Sequence, residues 1–115
     1  MHINIKRIYE DAKKSDGYRI LVDRLWPRGI KKETAHLDLW LKDIAPSPAL
    51  RKWFNHDPAK WGEFQKRYTN ELKHKDEAVD LVLDKAKKST VTLLYGAKDL
   101  EHNHALVLQH YLLKK

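Results

Sequence analysis

The chain has 115 residues and a mass of 13.6 kDa, enough for one domain around a single apolar core and too little for two. It has no cysteine, which excludes a disulfide framework, a thiolate nucleophile and thiolate-ligated metal sites, so any chemistry rests on oxygen and nitrogen groups. Twenty-three Lys and Arg against sixteen Asp and Glu give a net charge of +7; the excess is spread over both halves and biases the chain toward anionic partners without marking a basic arm.

In chain order, Ile3 to Ile8 reads as a short strand. Tyr18 to Leu25 reads as the central strand, because the unbroken apolar run Ile20-Leu21-Val22 suits a strand covered on both faces. The polar stretch Glu10 to Gly17 between them has the length of a hairpin rather than of a helical crossover, so local reading favours antiparallel pairing of the first two strands. Residues 31–45 carry a mixed signal: Leu37, Leu39 and Leu41 alternate as in a strand, while Leu37, Trp40, Leu41 and Ile44 recur as in a helix.

Ser47-Pro48 is a helix start, serine capping and proline at the first helical position, and Asp57-Pro58 repeats it. The second of these helices is expected to run from Pro58 to about His74, with Trp61, Phe64, Tyr68 and Leu72 on its apolar face and Glu63–Arg67 and Glu71–Lys75 as ion pairs on its wet side. Residues 76–87 form another helix, with Leu81, Val82 and Ala86 inward and Asp84 paired with Lys88. Ser89 to Tyr95 is a β-branched strand, and Asn103 caps a last helix whose apolar residues, Leu106 to Leu108 and Tyr111 to Leu113, complete the core. The fold class is α/β: one compact domain over residues 1–115, a small, mainly parallel sheet flanked by helices.

Asp23-Arg24-Leu25-Trp26-Pro27-Arg28-Gly29 is the stretch richest in chemistry. It places two guanidiniums, a carboxylate and an indole on the turn leaving the apolar run, where α/β proteins bind ligands. If the strands at 18–25 and 90–95 are parallel, their exit loops share one edge of the sheet, and Arg24, Arg28 and Lys98 face one phosphate-sized cavity with the helix start at Asn103. Arg24 serves either an anion or a structural ion pair. Asp23 acts as base, coordinates Mg²⁺ beside a phosphate or orients Arg24, and His104 transfers a proton, polarises a bound anion or is a hydrogen-bonding residue of the first helical turn. Trp26 stacks on a base or sugar of a ligand or fills the gap beneath its loop. His102-Asn103-His104 resembles a metal pair, but residues two apart on a helix point different ways, so no metal site is assigned.

The string Asp16 to Lys32, with Ala45-Pro46-Ser47, Leu50-Arg51-Lys52, Thr92 to Tyr95 and Asn103 to Leu108, resembles the YeaO-like branch of a bacterial family of unknown function. The resemblance implies a compact α/β domain with a mainly parallel sheet, against the local hairpin reading. Broader relatives have an arginine after the second strand, then a proline-containing turn, and a Cys-His-Arg-like triplet opening the last helix. Arg24, Pro27 and Arg28 match the first feature. In the triplet, here Asn103-His104-Ala105, only His104 matches, and Tyr95 stands where relatives often carry cysteine, so thiol chemistry does not carry over.

No dinucleotide-binding, phosphate-loop, hydrolase or zinc-protease signature occurs, and no cofactor is called for. The N-terminus lacks the apolar segment of a signal peptide and no run is long enough to span a membrane, which leads to the expectation of a cytoplasmic protein. Two functions stay open: an enzyme or binding domain for a small phosphate- or nucleotide-like anion, with Asp23 and His104 as catalytic candidates and Arg24, Arg28, Lys98, Asn103 and Trp26 as binding candidates, or a nucleic-acid-binding or regulatory module without turnover. No nucleic-acid motif supports the second.

Overall fold

A computed structural model of the chain, which describes residues 1–115 without a gap, places four strands in one all-parallel sheet. They are β1 (Ile3–Arg7), β2 (Tyr18–Leu21), β3 (Leu39–Trp40) and β4 (Val91–Tyr95), in the spatial order β1-β4-β2-β3. Ile3 and Tyr18 both lie opposite Val91, so β1, β4 and β2 start level and their exit loops leave from one edge.

The two faces of the sheet are covered differently. Alternation sends Ile3, Ile20, Val22, Val91, Leu93 and Tyr95 to one face. There they meet the buried side chains of α2 (Pro48–Phe54), α3 (Trp61–Leu72), α4 (Asp76–Lys88) and α5 (His104–Leu113) in one continuous core. The opposite face has no such helical layer. Its apolar part is small, with Ile8, Leu21 and Leu94 under Trp26, Ile30, Leu37 and Trp40.

The rest of that second face is polar and buried. Asp16, only 7% exposed, accepts from Nζ of Lys6 on β1, from a guanidinium nitrogen of Arg19 on β2 and from the Lys13 backbone N–H. Arg19, itself buried, also donates to the carbonyls of His36 and Ala35, while Thr92 Oγ1 of β4 donates to the Asp16 carbonyl. A carboxylate and a guanidinium removed from water must be matched bond for bond, and here they are. Gly17 makes the tight approach possible: its φ is +67°, and a Cβ there would lie 2.2 Å from the Thr90 carbonyl oxygen.

This layer explains why the hairpin expectation fails. β1 and β2 do not pair; β4, buried along its whole length, lies between them, and residues 8–17 cross over it with one 3₁₀ turn at Lys14–Asp16. The crossover needs no helix because Asp16, Lys6 and Arg19 fasten it to the sheet.

Other expectations are adjusted in detail. β2 ends at Leu21 rather than Leu25, although Val22 still donates to the Leu94 carbonyl. The ambiguous 31–45 region resolves into the four-residue α1 (Lys32–Ala35), the two-residue β3 and a 3₁₀ turn at Lys42–Ile44. Asp57 caps a 3₁₀ turn at Pro58–Lys60, and the α-helix proper begins at Trp61, whose ring is half-buried at the end of the aromatic row rather than fully in the core. Leu113 is exposed and Leu81 half-buried. Glu63–Arg67 is an ion pair, N to O 3.1 Å, but Glu71 and Lys75 turn instead to residues 45–47, and Asp84 forms no pair with Lys88.

Burial by itself pushes the Asp16 carboxyl up, but the Lys13 N–H, Lys6 and Arg19 outweigh it and hold it below its ordinary value. A carboxylate whose folded pKa lies below its unfolded value, about 3.9, contributes stability that is complete above that value and is lost as pH falls through the folded pKa. Arg19→Met is expected to cost about 3 kcal/mol at neutral pH, the lower end for breaking a buried pair because Lys6 remains, and to move acid unfolding to higher pH. Urea titrations at pH 7 and a pH melt followed by circular dichroism check both.

Candidate functional site

The three parallel strands β1, β4 and β2 deliver their exit loops to one edge, and side chains lace those loops together. Arg7, the last residue of β1, donates to the carbonyls of Ala97 and Gly96 after β4, and the Tyr9 hydroxyl donates to the Arg28 carbonyl after β2. Asp23 closes the triangle: its Oδ2 accepts from Gly96 N–H at 2.9 Å. A Cβ at Gly96 would sit 3.1 Å from that oxygen, so any side chain there would strain the clasp.

His104, at the first position of α5, meets the same point. Its Nε2 is 3.0 Å from the Val22 carbonyl oxygen and 3.2 Å from Asp23 Oδ1. Both neighbours are acceptors, so Nε2 must carry the ring proton. That N–H is aligned with the carbonyl, which leaves Oδ1 buried beside it without an aligned donor. The two side chains expected to do acid–base work thus face each other and the backbone. Asn103 is committed as well: its Oδ1 caps Leu106 N–H, its Nδ2 donates to the Asp99 carbonyl, and it is 2% exposed. Asp99 in turn accepts from the Glu101 and His102 N–H groups and from the His102 ring, bonds that hold its carboxyl below the ordinary value, the Glu101 N–H foremost.

Arg24 does not pair with Asp23. Its Nε donates to the Pro46 carbonyl and one terminal nitrogen to the Ala45 carbonyl, at 3.3 and 3.2 Å. The segment Ile44–Ser47 is a strap across the edge; its Ile44 and Ala45 N–H groups and Ser47 carbonyl bond backbone partners, and side chains hold its other polar groups. Tyr68, buried, donates to the Ile44 carbonyl, Lys75 Nζ to the Ala45 carbonyl, and Glu71 accepts from Ser47 N–H and Oγ. Burial depresses the Lys75 ammonium, against the pull of Glu71 and with the help of Arg24; burial also raises the Tyr68 phenol well above its ordinary value, keeping it a neutral donor. Arg24 therefore has a structural task, though with carbonyls rather than the expected carboxylate.

Two adjoining cavities open beside this strap, of about 270 and 320 Å³, near the lower end of small-molecule sites. They share Pro46, Arg51, His56, Ala97 and His104. The smaller is lined further by Tyr9, Asp23, Arg24, Trp26 and Arg28, the larger by Pro48, Lys52, Phe54, Phe64 and His102. Among these residues Arg24, Arg28, Arg51 and Lys52 are cationic and Asp23 is the one acid; none of the four cations takes part in a salt bridge. No three His, Asp or Glu side chains converge where a metal ion would fit.

Of the residues singled out in the sequence, Asp23, Arg24, Trp26, Arg28 and His104 line the smaller cavity, and Asn103 lines the larger one as a cap. Lys98 is exposed and lines neither: Asp99 caps its own loop and draws residues 99–102 into a turn, leaving Lys98 in solvent. Trp26 fills the space beneath its loop, edge-on to Trp40 at 5.2 Å with its Nε1 donating to the Ile30 carbonyl.

Arg51 and His56 were not anticipated. Their signal lies in the break after α2, where Asn55 and His56 both adopt positive φ, 46° and 54°, before Asp57-Pro58 restarts the chain. Two successive left-handed residues without glycine are uncommon, and such strain gathers at functional sites.

The family described as an inactive DUF488-N3 subclade matches residues 2–115. The chain belongs to this family. Its relatives include the uncharacterised protein YeaO of Escherichia coli strain K12, 50% identical over 112 residues and covering 97% of each chain. Uncharacterised proteins of Mycobacterium bovis, Mb3100c, and of Mycobacterium tuberculosis, Rv3073c, are each 39% identical over 110 residues, 96% of this chain and 92% of theirs. No solved structure matches the chain significantly. The small all-parallel sheet agrees with the α/β domain that the family resemblance implied, and no helix is long and apolar enough to cross a membrane.

Because Arg24 holds the strap, Arg24→Ala is expected to cost about 1–3 kcal/mol, the loss of charged hydrogen bonds to carbonyls of which Ala45 keeps a second donor in Lys75. Thermal and urea unfolding of wild type and variant measure it. No change in stability would mean the strap holds without Arg24.

Proposed function

We propose that this protein is a binding domain for a small phosphate-class anion at the carboxyl edge of its sheet, without turnover. The observation that carries the reading is the charge of the crevice: three arginines and a lysine line it, none satisfied by a carboxylate, and its one acid is turned into the loop clasp. Guanidinium groups suit phosphate because their planar fork binds two oxygens at once. Cations left unpaired in a concave site raise the local concentration of anions and repel one another until one binds.

The absence of turnover rests on the fate of the reactive groups. No serine, threonine or cysteine lines either cavity, and the chain has no cysteine at all. Asp23 Oδ2 is taken by the Gly96 N–H, its Oδ1 is buried against the His104 ring, and the His104 N–H is spent on the Val22 carbonyl, so neither side chain is poised on a bound molecule. The family's description as inactive agrees with this reading.

Arg51 makes no side-chain hydrogen bond and sits at the junction of the two cavities, which makes it the best probe. Saturating inorganic phosphate is expected to raise the melting temperature of wild type by several degrees, since a ligand at about 100 times its Kd stabilises by roughly 2.7 kcal/mol. Arg51→Ala is expected to lose most of that shift while its own stability stays within about 0.5 kcal/mol of wild type. An oligonucleotide arm separates the nucleic-acid alternative, for which many phosphate contacts would give affinity that falls steeply with salt. Wild type unmoved by phosphate would refute the proposal.

A further inference from the structure

The two halves of the crevice differ in chemistry. The smaller cavity presents Arg24 and Arg28 with the Gly96 loop. The larger is floored by rings: Phe54 and Phe64 stack at 4.2 Å, Phe64 stacks on Trp61 at 5.7 Å, and the row ends in two imidazoles that line the cavity, His56 beside Phe54 at 6.4 Å and His102 edge-on to Trp61 at 5.4 Å. His102 is fixed in place by its bond to Asp99, so that flank is set before a ligand arrives, while His56, exposed on a left-handed backbone, forms the open flank. The Pro46 and Pro48 rings complete an apolar wall. Phe54 and Phe64 are 6% and 2% exposed and stack on each other, so they offer a ligand their edges, and a flat ring set against them gains edge-to-face contacts while Arg51, Asn55 and the imidazoles line the rest of the slot.

A simple anion uses only one half of this crevice. Resting on the anion-binding reading above, we propose that the ligand is a small molecule in which an aromatic ring carries a phosphate group. The phosphate lies against Arg28, Arg24 and Arg51, and the ring lies on the Phe54–Phe64 floor between His56 and His102. Arg51 and His56, shared by both cavities, bridge the two parts.

The test compares inorganic phosphate, phenyl phosphate, adenosine monophosphate and phenol on the wild-type protein, by calorimetry and by amide shifts in ¹H–¹⁵N spectra. Phenyl phosphate and adenosine monophosphate distinguish a direct ring–phosphate link from one through a sugar. At least one is expected to bind tenfold or more tighter than inorganic phosphate. It should move the amides of Phe54, Asn55, Phe64 and His102 as well as those of Arg28, Gly96 and Ala97, the set that phosphate alone moves. Arg28→Ala, whose side chain makes no bond in the fold, should weaken phosphate and the ring phosphate by the same factor. Ring phosphates that bind no tighter than phosphate, with shifts confined to the Arg28 side, overturn the ring assignment and leave the anion reading standing. Phenol binding as tightly as phenyl phosphate overturns it as well, because the cationic half then adds nothing. Failure of inorganic phosphate to bind removes the anion reading itself, and with it the ring assignment that rests on it.

Discussion

The Asp16 carboxylate, sealed under the second face of the sheet and gripped by Lys6, Arg19 and the Lys13 N–H, is the contact on which the remaining architecture depends. A parallel sheet needs both faces covered, and this chain spends α2 to α5 on one of them. What covers the other is an irregular crossover and a long connection, whose apolar contact with the sheet is the small cluster of Ile8, Leu21 and Leu94 under Trp26, Ile30, Leu37 and Trp40. A buried ionic layer substitutes for a helix: Arg19 reaches the crossover through Asp16 and the connection through the Ala35 and His36 carbonyls. Replacing a fully matched buried network with apolar groups is often neutral for stability, so its value here lies in specifying which loop lies where.

That placement fixes the site. With β1, β4 and β2 level and parallel, the loops after them meet at one edge, and Arg7, Tyr9 and Asp23 tie them to one another. The Ile44–Ser47 strap then closes one side of the edge, held from below by Tyr68, Glu71 and Lys75 of the helical core and from the sheet by Arg24. The polar groups in the rim are mostly consumed in building it, and the arginines Arg28 and Arg51, which build nothing, are left facing the space enclosed. On the proposed reading this division of labour is that of a rigid receptor, since a catalyst needs its acid and base free to meet a substrate.

Much of this was legible in the sequence, and the gaps have physical reasons. Asn103, Ser47 and Asp57 act as the caps their positions indicated, because capping is a local exchange between a side chain and the next three residues. The apolar runs at 20–22 and 91–95 located the interior strands, and the exit turn at Asp23 located the edge that holds the crevice. The length of the crossover matches a hairpin, while what decides its path is the contact of Asp16 with Lys6 and Arg19 on different strands, which no local pattern carries. The sequence leaves Arg24 open between an anion and an ion pair with a nearby acid, and neither alternative includes the Ala45 and Pro46 carbonyls it bonds. Across a strand exit Asp23 and Arg24 point to different loops. Lys98 resembled Arg28 in charge alone, and the turn capped by Asp99 took it out of the site. Arg51 and His56 lie on the far side of the crevice, brought there by the packing of α2, which no local pattern encodes.

On the proposed reading, the edge of the sheet holds a preformed receptor for a phosphate-shaped anion. Crystals of the protein soaked in tungstate, which shares the tetrahedral shape of phosphate and scatters anomalously, test it most directly. The account predicts an anomalous peak in the crevice within hydrogen-bonding distance of the Arg28 and Arg51 guanidiniums, with the Asp23–Gly96 and His104–Val22 contacts unchanged. An empty crevice with tungstate bound elsewhere on the basic surface, or an anion seated only after Asp23 and His104 have swung apart, would contradict it.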